Sequence, residues 1–169
     1  MNATLSIRRA ELADLPTVIA LAHDIWHRHY PGIITREQID YMLARGYSPE
    51  ALAPFVTDPT RGLALAERAA QPLAFAAWYP PGEPGAMKLD KLYVLPQTQG
   101  QGIGRALIEH VAAAARRAGC RTLTLNVNRY NAGAIRAYER CGFRIARSGD
   151  FDIGNGFVME DYIMERPLE

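Results

Sequence analysis

Residues 89–107 read LDKLYVLPQTQGQGIGRAL, and this stretch decides the fold of the chain. A strand-like apolar run comes first, and a helical run begins at Ile103. Between them, Gly100, Gly102 and Gly104 stand at every second position. Glycine at this spacing suits neither a strand nor a helix. We therefore predict a loop whose backbone amides converge on a phosphate or pyrophosphate at the start of the helix.

Two nucleotide-binding motifs can be excluded for this loop. A P-loop carries Lys and then Ser or Thr after its last glycine, but Arg and Ala follow Gly104. A Rossmann fingerprint needs a glycine directly after Gly104, and an acid near the end of the next strand, where Asn126 and Asn128 stand. The remaining pattern is Gln99-x-x-Gly102-x-Gly104, with a plain glycine-rich connection as the alternative.

Composition limits the classes of function. The chain has 169 residues, 49% of them hydrophobic, and a net charge of +1. A charge this close to zero favours neither nucleic acid nor an anionic membrane. We find no long apolar run and no signal-peptide pattern, and Cys120 and Cys141 fit no metal-ligand or disulfide framework. The sequence therefore predicts one domain over residues 1–169, in the cytoplasm, with no nucleic-acid partner, no membrane partner and no metal.

Hydrophobic periodicity predicts a mixed α/β sheet. The predicted order is a strand, two helices with a short third piece, three strands, a helix, a strand, a helix and two strands. Asp14 is predicted to cap the first helix. The alternation of apolar residues slips between Leu89 and Leu92, which predicts a β-bulge in the strand before the glycine loop.

Two linked motifs resemble the GNAT N-acetyltransferase superfamily. Gln99, Gly102 and Gly104 fill its pyrophosphate loop, Q/R-x-x-G-x-G/A. Downstream, LNVNRYNAGAIRAYERCGF is similar to the family's next strand and helix, and the matching residues are Leu125, Val127, Asn131, Ala134, Tyr138, Gly142 and Phe143. The resemblance covers nearly the whole chain and looks closest to the small-molecule and polyamine branch. It implies an α/β fold with a mixed, mostly antiparallel sheet of six to seven strands, about four helices and a splayed central strand pair.

The resemblance also implies an activity. It indicates an acetyl-CoA-dependent N-acetyltransferase, in which a primary amine attacks the thioester directly in a ternary complex. The acceptor is a small-molecule amine or a protein amine, and a homodimer is common in the family. Three alternatives stay open: a different acyl-CoA donor, an alcohol acceptor, and a CoA-binding sensor without turnover.

The donor site implied by the resemblance has three parts. The amides of Gln99 to Arg105 hold the pyrophosphate, so that the Gln101 side chain is replaceable. The open edge of the preceding strand pairs with the pantetheine arm, which is rich in amides like a peptide strand. The backbone N–H of Leu92 then faces the thioester carbonyl. The full set of predicted donor-site residues is Leu92, Tyr93, Val94, Gln99, Gly100, Gln101, Gly102, Ile103, Gly104, Arg105, Asn131, Ala134 and Tyr138.

Two side chains are predicted to move protons. In the family the tyrosine at Tyr138 protonates the departing CoA thiolate; the alternative is a core tyrosine. It lies seven residues after Asn131, close to two helical turns, so both face the same way. Asp90, two residues before Leu92, is a candidate base acting through water and equally a solvated strand carboxylate. Attack without a dedicated base is also open.

The acceptor site is predicted from two segments. By resemblance, the helix that carries Trp26, His27 and Tyr30 lines the acceptor cleft, although it is equally a plain helix face. His23 and His27 stand four residues apart, a spacing that permits metal binding, but the sequence shows no third ligand. Near the end of the chain, Asp152 and Asp161 are predicted to lie around a loop that attracts a cationic amine, with solvated loop charge as the alternative.

Overall fold

The computed structural model describes residues 3–169 as one seven-stranded sheet with helices packed on it. The strands are β1 Leu5–Arg9, β2 Gly62–Arg68, β3 Gln71–Tyr79, β4 Ala86–Val94, β5 Thr122–Asn128, β6 Arg144–Gly154 and β7 Phe157–Pro167. The helices are α1 Leu15–His29, α2 Arg36–Gly46, α3 Pro49–Thr57, α4 Ile103–Arg117 and α5 Ala132–Arg140. In this part of the chain no helix is long and apolar enough to cross a lipid bilayer.

The sheet is mixed and mostly antiparallel, as predicted. Its strand order is β1-β2-β3-β4-β5-β7-β6. Only the β4–β5 pair is parallel among the paired strands of residues 3–169, and α4 makes the crossover between them. The last strand, β7, inserts between β5 and β6, so that the chain end is held inside the sheet.

Local signals in the sequence set several helix starts. The Thr35 hydroxyl accepts a hydrogen bond from Gln38 N at 3.1 Å, and the Ser48 hydroxyl accepts one from Ala51 N at 3.1 Å. Both are N-caps that satisfy an amide left without a helical partner. Asp14 is the N-cap residue of α1, as predicted, but its side chain makes no cap hydrogen bond, because the carboxylate binds Arg8 and the Glu11 amide.

The core lies on the central strands. Residues 63–66 of β2 and 73–78 of β3 are buried without interruption. Continuous burial of this kind means that both faces of these strands are covered. Helices α1 and α4 both pack against β3 and β4, and Leu107, Val111 and Ala115 of α4 are fully buried, as their helical spacing predicts.

Three details of the predicted fold can be compared with the structure. The β-bulge is confirmed at Asp90, since Lys91 pairs with Ala77 and Leu89 pairs with Trp78. The prediction of about four helices is one too few, because the short third piece forms the nine-residue helix α3. The predicted terminal loop around Asp152 is also wrong: β6 and β7 form a long hairpin that turns at residues 155–156, with Asp152 inside β6.

Candidate active site

The two central strands, β4 and β5, separate toward their C-terminal ends. Their parallel ladder covers three pairs, from Ala86↔Thr122 to Lys88↔Thr124. Beyond Lys88, both strands line an open cavity of about 880 Å³. The splayed central pair is thereby confirmed, and the gap exposes one edge of β4.

The register of β4 decides which backbone groups face this gap. Leu95 N donates to Leu73 O at 2.9 Å, and Val94 pairs with Ala74 next to it. In an antiparallel ladder, residues alternate between facing the neighbour and facing away from it. The N–H and C=O groups of Leu92 and Val94 therefore point away from β3, into the gap. This is the orientation that the predicted oxyanion and pantetheine contacts require.

The glycine loop lies at the end of this open edge. Gly100 and Gly102 both have φ of +81°, a conformation that favours glycine, and Gly102 is the N-cap of α4. The first helical hydrogen bond runs from Ala106 N to Gly102 O, which leaves the preceding amides of the helix free. A Cβ on Gly104 would lie 3.8 Å from Val94 Cγ2, so helix and strand approach closely here. The free amides, with the positive end of the helix dipole, fit a pyrophosphate.

Helix α5 forms the opposite wall. The Asn131 side chain caps it by accepting a hydrogen bond from Ala134 N at 3.4 Å. Asn131, Ala134 and Tyr138 all line the cavity on the predicted face. The Tyr138 ring packs edge-on against Phe143, with ring centroids 5.7 Å apart. Burial first, and then the nearby Tyr30 and Cys141, raises the pKa of the Tyr138 phenol, which keeps it protonated and able to donate.

An aromatic cluster forms the other end of the cavity. The ring of Trp26 lies 4.4 Å from that of Tyr30 and 5.5 Å from that of Tyr93. Tyr47 completes the group, with its ring 5.9 Å from that of Trp26. Burial raises the pKa of Tyr30 to about 12, against the lowering effect of its hydrogen bond to Tyr93. These phenols are therefore neutral, and the cluster provides an apolar surface with hydroxyl groups.

Most of the predicted site residues meet in this one cavity. Those that line it are Trp26, Tyr30, Asp90, Leu92, Tyr93, Val94, Gln99, Gly100, Gly102, Ile103, Gly104, Arg105, Asn131, Ala134, Tyr138 and Asp161. Arg105 donates a hydrogen bond to Arg140 O at 2.9 Å, which holds its guanidinium against the last residue of α5.

Three predicted residues lie outside the cavity lining. His27 lies on another face of α1, where its Nε2 is 3.8 Å from Asp40 Oδ1. Asp152 accepts a hydrogen bond from Gly154 N at 2.8 Å, two residues further along β6. The Gln101 side chain accepts one from Arg68 at 2.8 Å, so only its backbone belongs to the loop. His27 and Asp152 are therefore not brought to the acceptor end as expected.

Comparison with known proteins identifies the family of this chain. A profile described as the acetyltransferase (GNAT) family matches residues 20–143. The chain belongs to this family. The enzyme is accordingly an acyltransferase of the N-acetyltransferase class. An uncharacterized N-acetyltransferase of Mycobacterium tuberculosis is 29% identical over 93% of this chain and 99% of its own length.

Two further relatives cover almost the whole GNAT chain. Spermidine N(1)-acetyltransferase of Thermoplasma acidophilum is 26% identical over 93% of this chain and 96% of its own. The crystal structure of PaiA N-acetyltransferase from Thermoplasma acidophilum, in complex with coenzyme A, has a TM-score of 0.83 at 24% identity. It covers 97% of this chain and 99% of that one. This likeness shows that the two proteins share a fold.

Several lining residues of the GNAT cavity were missed in the sequence. Gly133 and Ala137 lie on the same face of α5 as Tyr138, and the helical period was a sufficient signal to find them. Arg45 of α2 and Met159 of β7 also reach the cavity. Their presence depends on how distant elements pack, so no local signal marks them.

His23 and His27 lie four residues apart on α1. The rings of His23 and His27 lie 6.1 Å apart and tilted. Across residues 3–169, no group of three or more His, Cys, Asp or Glu side chains is arranged to hold a metal ion. The pair is part of the helix surface.

Proposed function

We propose that this GNAT enzyme transfers the acetyl group of acetyl-CoA to a primary amine by direct attack in a ternary complex. The observation that carries the proposal is the open edge of β4, where Leu92 and Val94 present backbone groups beside the free amides at the start of α4. An amide-rich arm with a pyrophosphate fits both features at once.

In this proposal the chain supplies two groups to the reaction. The Leu92 N–H donates to the carbonyl oxygen of the thioester and stabilises the charge that develops there, an effect worth a few kcal/mol in comparable sites (typically about 3). Tyr138 on the facing wall donates its proton to the sulfur as the C–S bond breaks. Burial of the phenol keeps that proton in place until the thiolate forms.

The acceptor end is proposed to be the region between Trp26, Tyr30 and Asp161. Aromatic faces attract a cationic amine, and a carboxylate beside them adds to this attraction. The spermidine acetyltransferase relative makes a small cationic amine the first class to test. A protein amine is the alternative.

The test is release of free thiol from acetyl-CoA in the presence of an amine panel. Spermidine, cadaverine, Nα-acetyl-lysine and an alanine-initiated peptide cover the two acceptor classes. We expect amine-dependent thiol release with one of them, and slower release with propionyl-CoA or succinyl-CoA. Acetyl-CoA binding by calorimetry without release for any amine would instead support a CoA-binding sensor. Faster turnover with a longer acyl-CoA would replace acetyl as the donor group.

A further inference from the structure

Asp161 is a buried carboxylate at the point where the sheet opens. It lies on β7 and pairs with Asn128 of β5 and with Gly149 of β6. Only 5% of the residue is exposed, yet it lines the cavity. It therefore lies one strand away from the gap between β4 and β5, with its side chain at the cavity.

The hydrogen bonds of Asp161 are incomplete. Its Oδ2 accepts a long bond of 3.4 Å from Asn126 Nδ2. Its Oδ1 is buried without a hydrogen-bond partner among residues 3–169. Buried carboxylates are normally paired, because an unpaired one costs folding free energy. Such a group indicates a missing ligand, and for a carboxylate that ligand is a cation or a hydrogen-bond donor.

The nearby cations of the chain do not supply this partner. Lys88 lies on the adjacent part of β4, and Arg129 follows β5; both act on Asp161 only through longer-range charge. Arg129 is bound to Asp150 and lies 4.0 Å from Glu160. The carboxylate is thus left with an unmatched negative charge facing the cavity.

We propose that Asp161 binds the ammonium group of the acceptor and takes the proton that the amine must lose before it attacks the thioester. This inference rests on the proposed function. The terminal torsion of an aspartate is soft, so rotation of the carboxylate can turn either oxygen to the incoming N–H. The acceptor class is then a primary alkylammonium ion.

Asp90, the base predicted from the sequence, is less suited to this role. Its Oδ2 lies 2.8 Å from Lys91 Nζ, in an ion pair whose two side chains are 24% and 12% exposed. Accepting a proton would cost this pair its charge complementarity. Asp161 has no such partner within 4.0 Å among the described residues, and so loses nothing comparable when it is protonated.

The protons balance over one turnover. Asp161 takes one proton from the ammonium, and the free amine forms the N–C bond. As the C–S bond breaks, Tyr138 gives its proton to the sulfur. The new amide nitrogen then loses its extra proton to the tyrosinate, through water, which restores Tyr138. Asp161 releases its proton to solvent, so one proton is produced for each amine acetylated.

Burial supports the role by raising the pKa of Asp161, with Asn126, Lys88 and Arg129 opposing the shift. A raised pKa makes the carboxylate a better proton acceptor than a surface aspartate. The raised pKa of Asp161 also makes the stability of the fold depend on pH. The stabilisation from the protonated carboxyl is complete below its pKa in the unfolded chain and is lost as the pH rises through its pKa in the folded chain.

A binding experiment tests the inference without turnover. The enzyme is labelled with ¹³C at the aspartate carboxyl carbons, and Asp161→Asn assigns the Asp161 resonance. We expect that resonance to titrate at a higher pH than those of surface aspartates and to shift saturably with n-butylammonium chloride. A resonance that does not respond to n-butylammonium would overturn the proposal.

The second test of the inference is steady-state kinetics, measured with the amine of the acceptor panel that is acetylated fastest. We expect Asp161→Asn to lower kcat/KM about 10²-fold or more and to remove the acidic limb of its pH profile. Asp161→Glu keeps a carboxylate and should retain that limb at a reduced rate. Glu165→Gln removes a surface carboxylate of the same strand, which pairs with Arg147 at 3.6 Å, and should leave the profile unchanged.

The outcomes separate this inference from the proposed function. If Asp90→Asn removes the acidic limb and Asp161→Asn does not, the base is Asp90 and the inference is wrong. If the unaltered enzyme neither binds acetyl-CoA nor releases thiol, the proposed function is wrong whatever the NMR result. Melting curves guard against misfolding: the melting temperature of Asp161→Asn, relative to the unaltered enzyme, should rise with pH through the pKa of Asp161.

Discussion

The phenolic oxygens of Tyr30 and Tyr93 lie 3.1 Å apart and join the C-cap residue of α1 to the open strand β4. Tyr93 stands between Leu92 and Val94, whose backbone groups face the gap. The contact therefore fixes the wall of the acceptor end relative to the strand that is proposed to hold the donor.

This hydrogen bond can be measured by a double-mutant cycle. Tyr30→Phe and Tyr93→Phe should each lower the free energy of unfolding by about 1–2 kcal/mol, because each leaves a buried hydroxyl unpaired. The double variant should lose less than the sum, with a coupling energy of about 1 kcal/mol. Urea unfolding of the four proteins gives these values. Strict additivity would mean that the hydroxyl contact contributes nothing to stability.

The second prediction concerns acetyl-CoA binding by the glycine loop. Gly104→Glu should weaken acetyl-CoA binding at least about 100-fold, or about 2.7 kcal/mol, since its carboxylate would occupy the amide nest. Gly104 has an ordinary φ, and a Cβ there meets only Val94 at 3.8 Å, so the fold should survive. Calorimetry with acetyl-CoA measures the loss.

The matched control for the loop is Gln97→Glu. It adds the same charge just before the loop, at a side chain that bonds Arg28 instead of lining the cavity. We expect nearly unchanged acetyl-CoA affinity for this variant. An equal loss in both variants would attribute the effect to long-range charge and not to the nest.

Tyr138→Phe tests the proposed acid. Removing the hydroxyl should lower kcat about 10²-fold or more and leave KM nearly unchanged, because the hydrogen bond to sulfur strengthens only as charge builds there. The ring contact with Phe143 remains, so the melting temperature should hold. Steady-state kinetics and melting curves on the same preparation are required. Near-normal kcat in the folded Phe variant would leave solvent as the proton source.

An exposed tyrosine is the control for this change. Tyr130 is 61% exposed and follows β5 outside the cavity lining. Tyr130→Phe removes the same atom and should change kcat by less than about twofold, within the ordinary effect of a surface substitution.

A pH-dependent contribution to stability comes from Asp14. The Arg8 guanidinium holds it with bonds of 2.8 and 2.9 Å and, with the Glu11 amide, lowers the pKa of Asp14 to about 2. A lowered pKa stabilises the fold above the unfolded value, and this contribution is lost as the pH falls through about 2. Asp14→Asn should therefore lower the melting temperature at pH 7. The loss in free energy of unfolding should be no more than about 1 kcal/mol, because the ion pair is partly exposed to solvent.

The comparison of melting curves across pH checks this assignment. The difference between Asp14→Asn and the unaltered protein should shrink between about pH 4 and pH 2, where the carboxylate of the latter is protonated. A difference that stays constant over this range would indicate a steric effect of the substitution and not the loss of the ion pair.

The sequence by itself determined the parts of the site that depend on local chain geometry. Glycines at alternate positions predicted the loop and its free amides, and the helical period placed Asn131 and Tyr138 on one face. The slip in alternation predicted the bulge at Asp90. Each of these follows from the conformational preferences of a short segment, so a short segment was enough to find it.

Only the tertiary structure decided which carboxylate and which face of α1 reach the cavity. Asp152 and Asp161 read alike in the sequence, but β7 inserts between β5 and β6 and buries Asp161 opposite Asn128. Asp152 instead accepts a hydrogen bond from Gly154, two residues further along its own strand. The same holds for His27, which α1 turns away from the site. Burial of a side chain is decided by pairing between segments distant in the chain. A one-residue change of register would invert every side chain of a strand, so no local pattern specifies the choice.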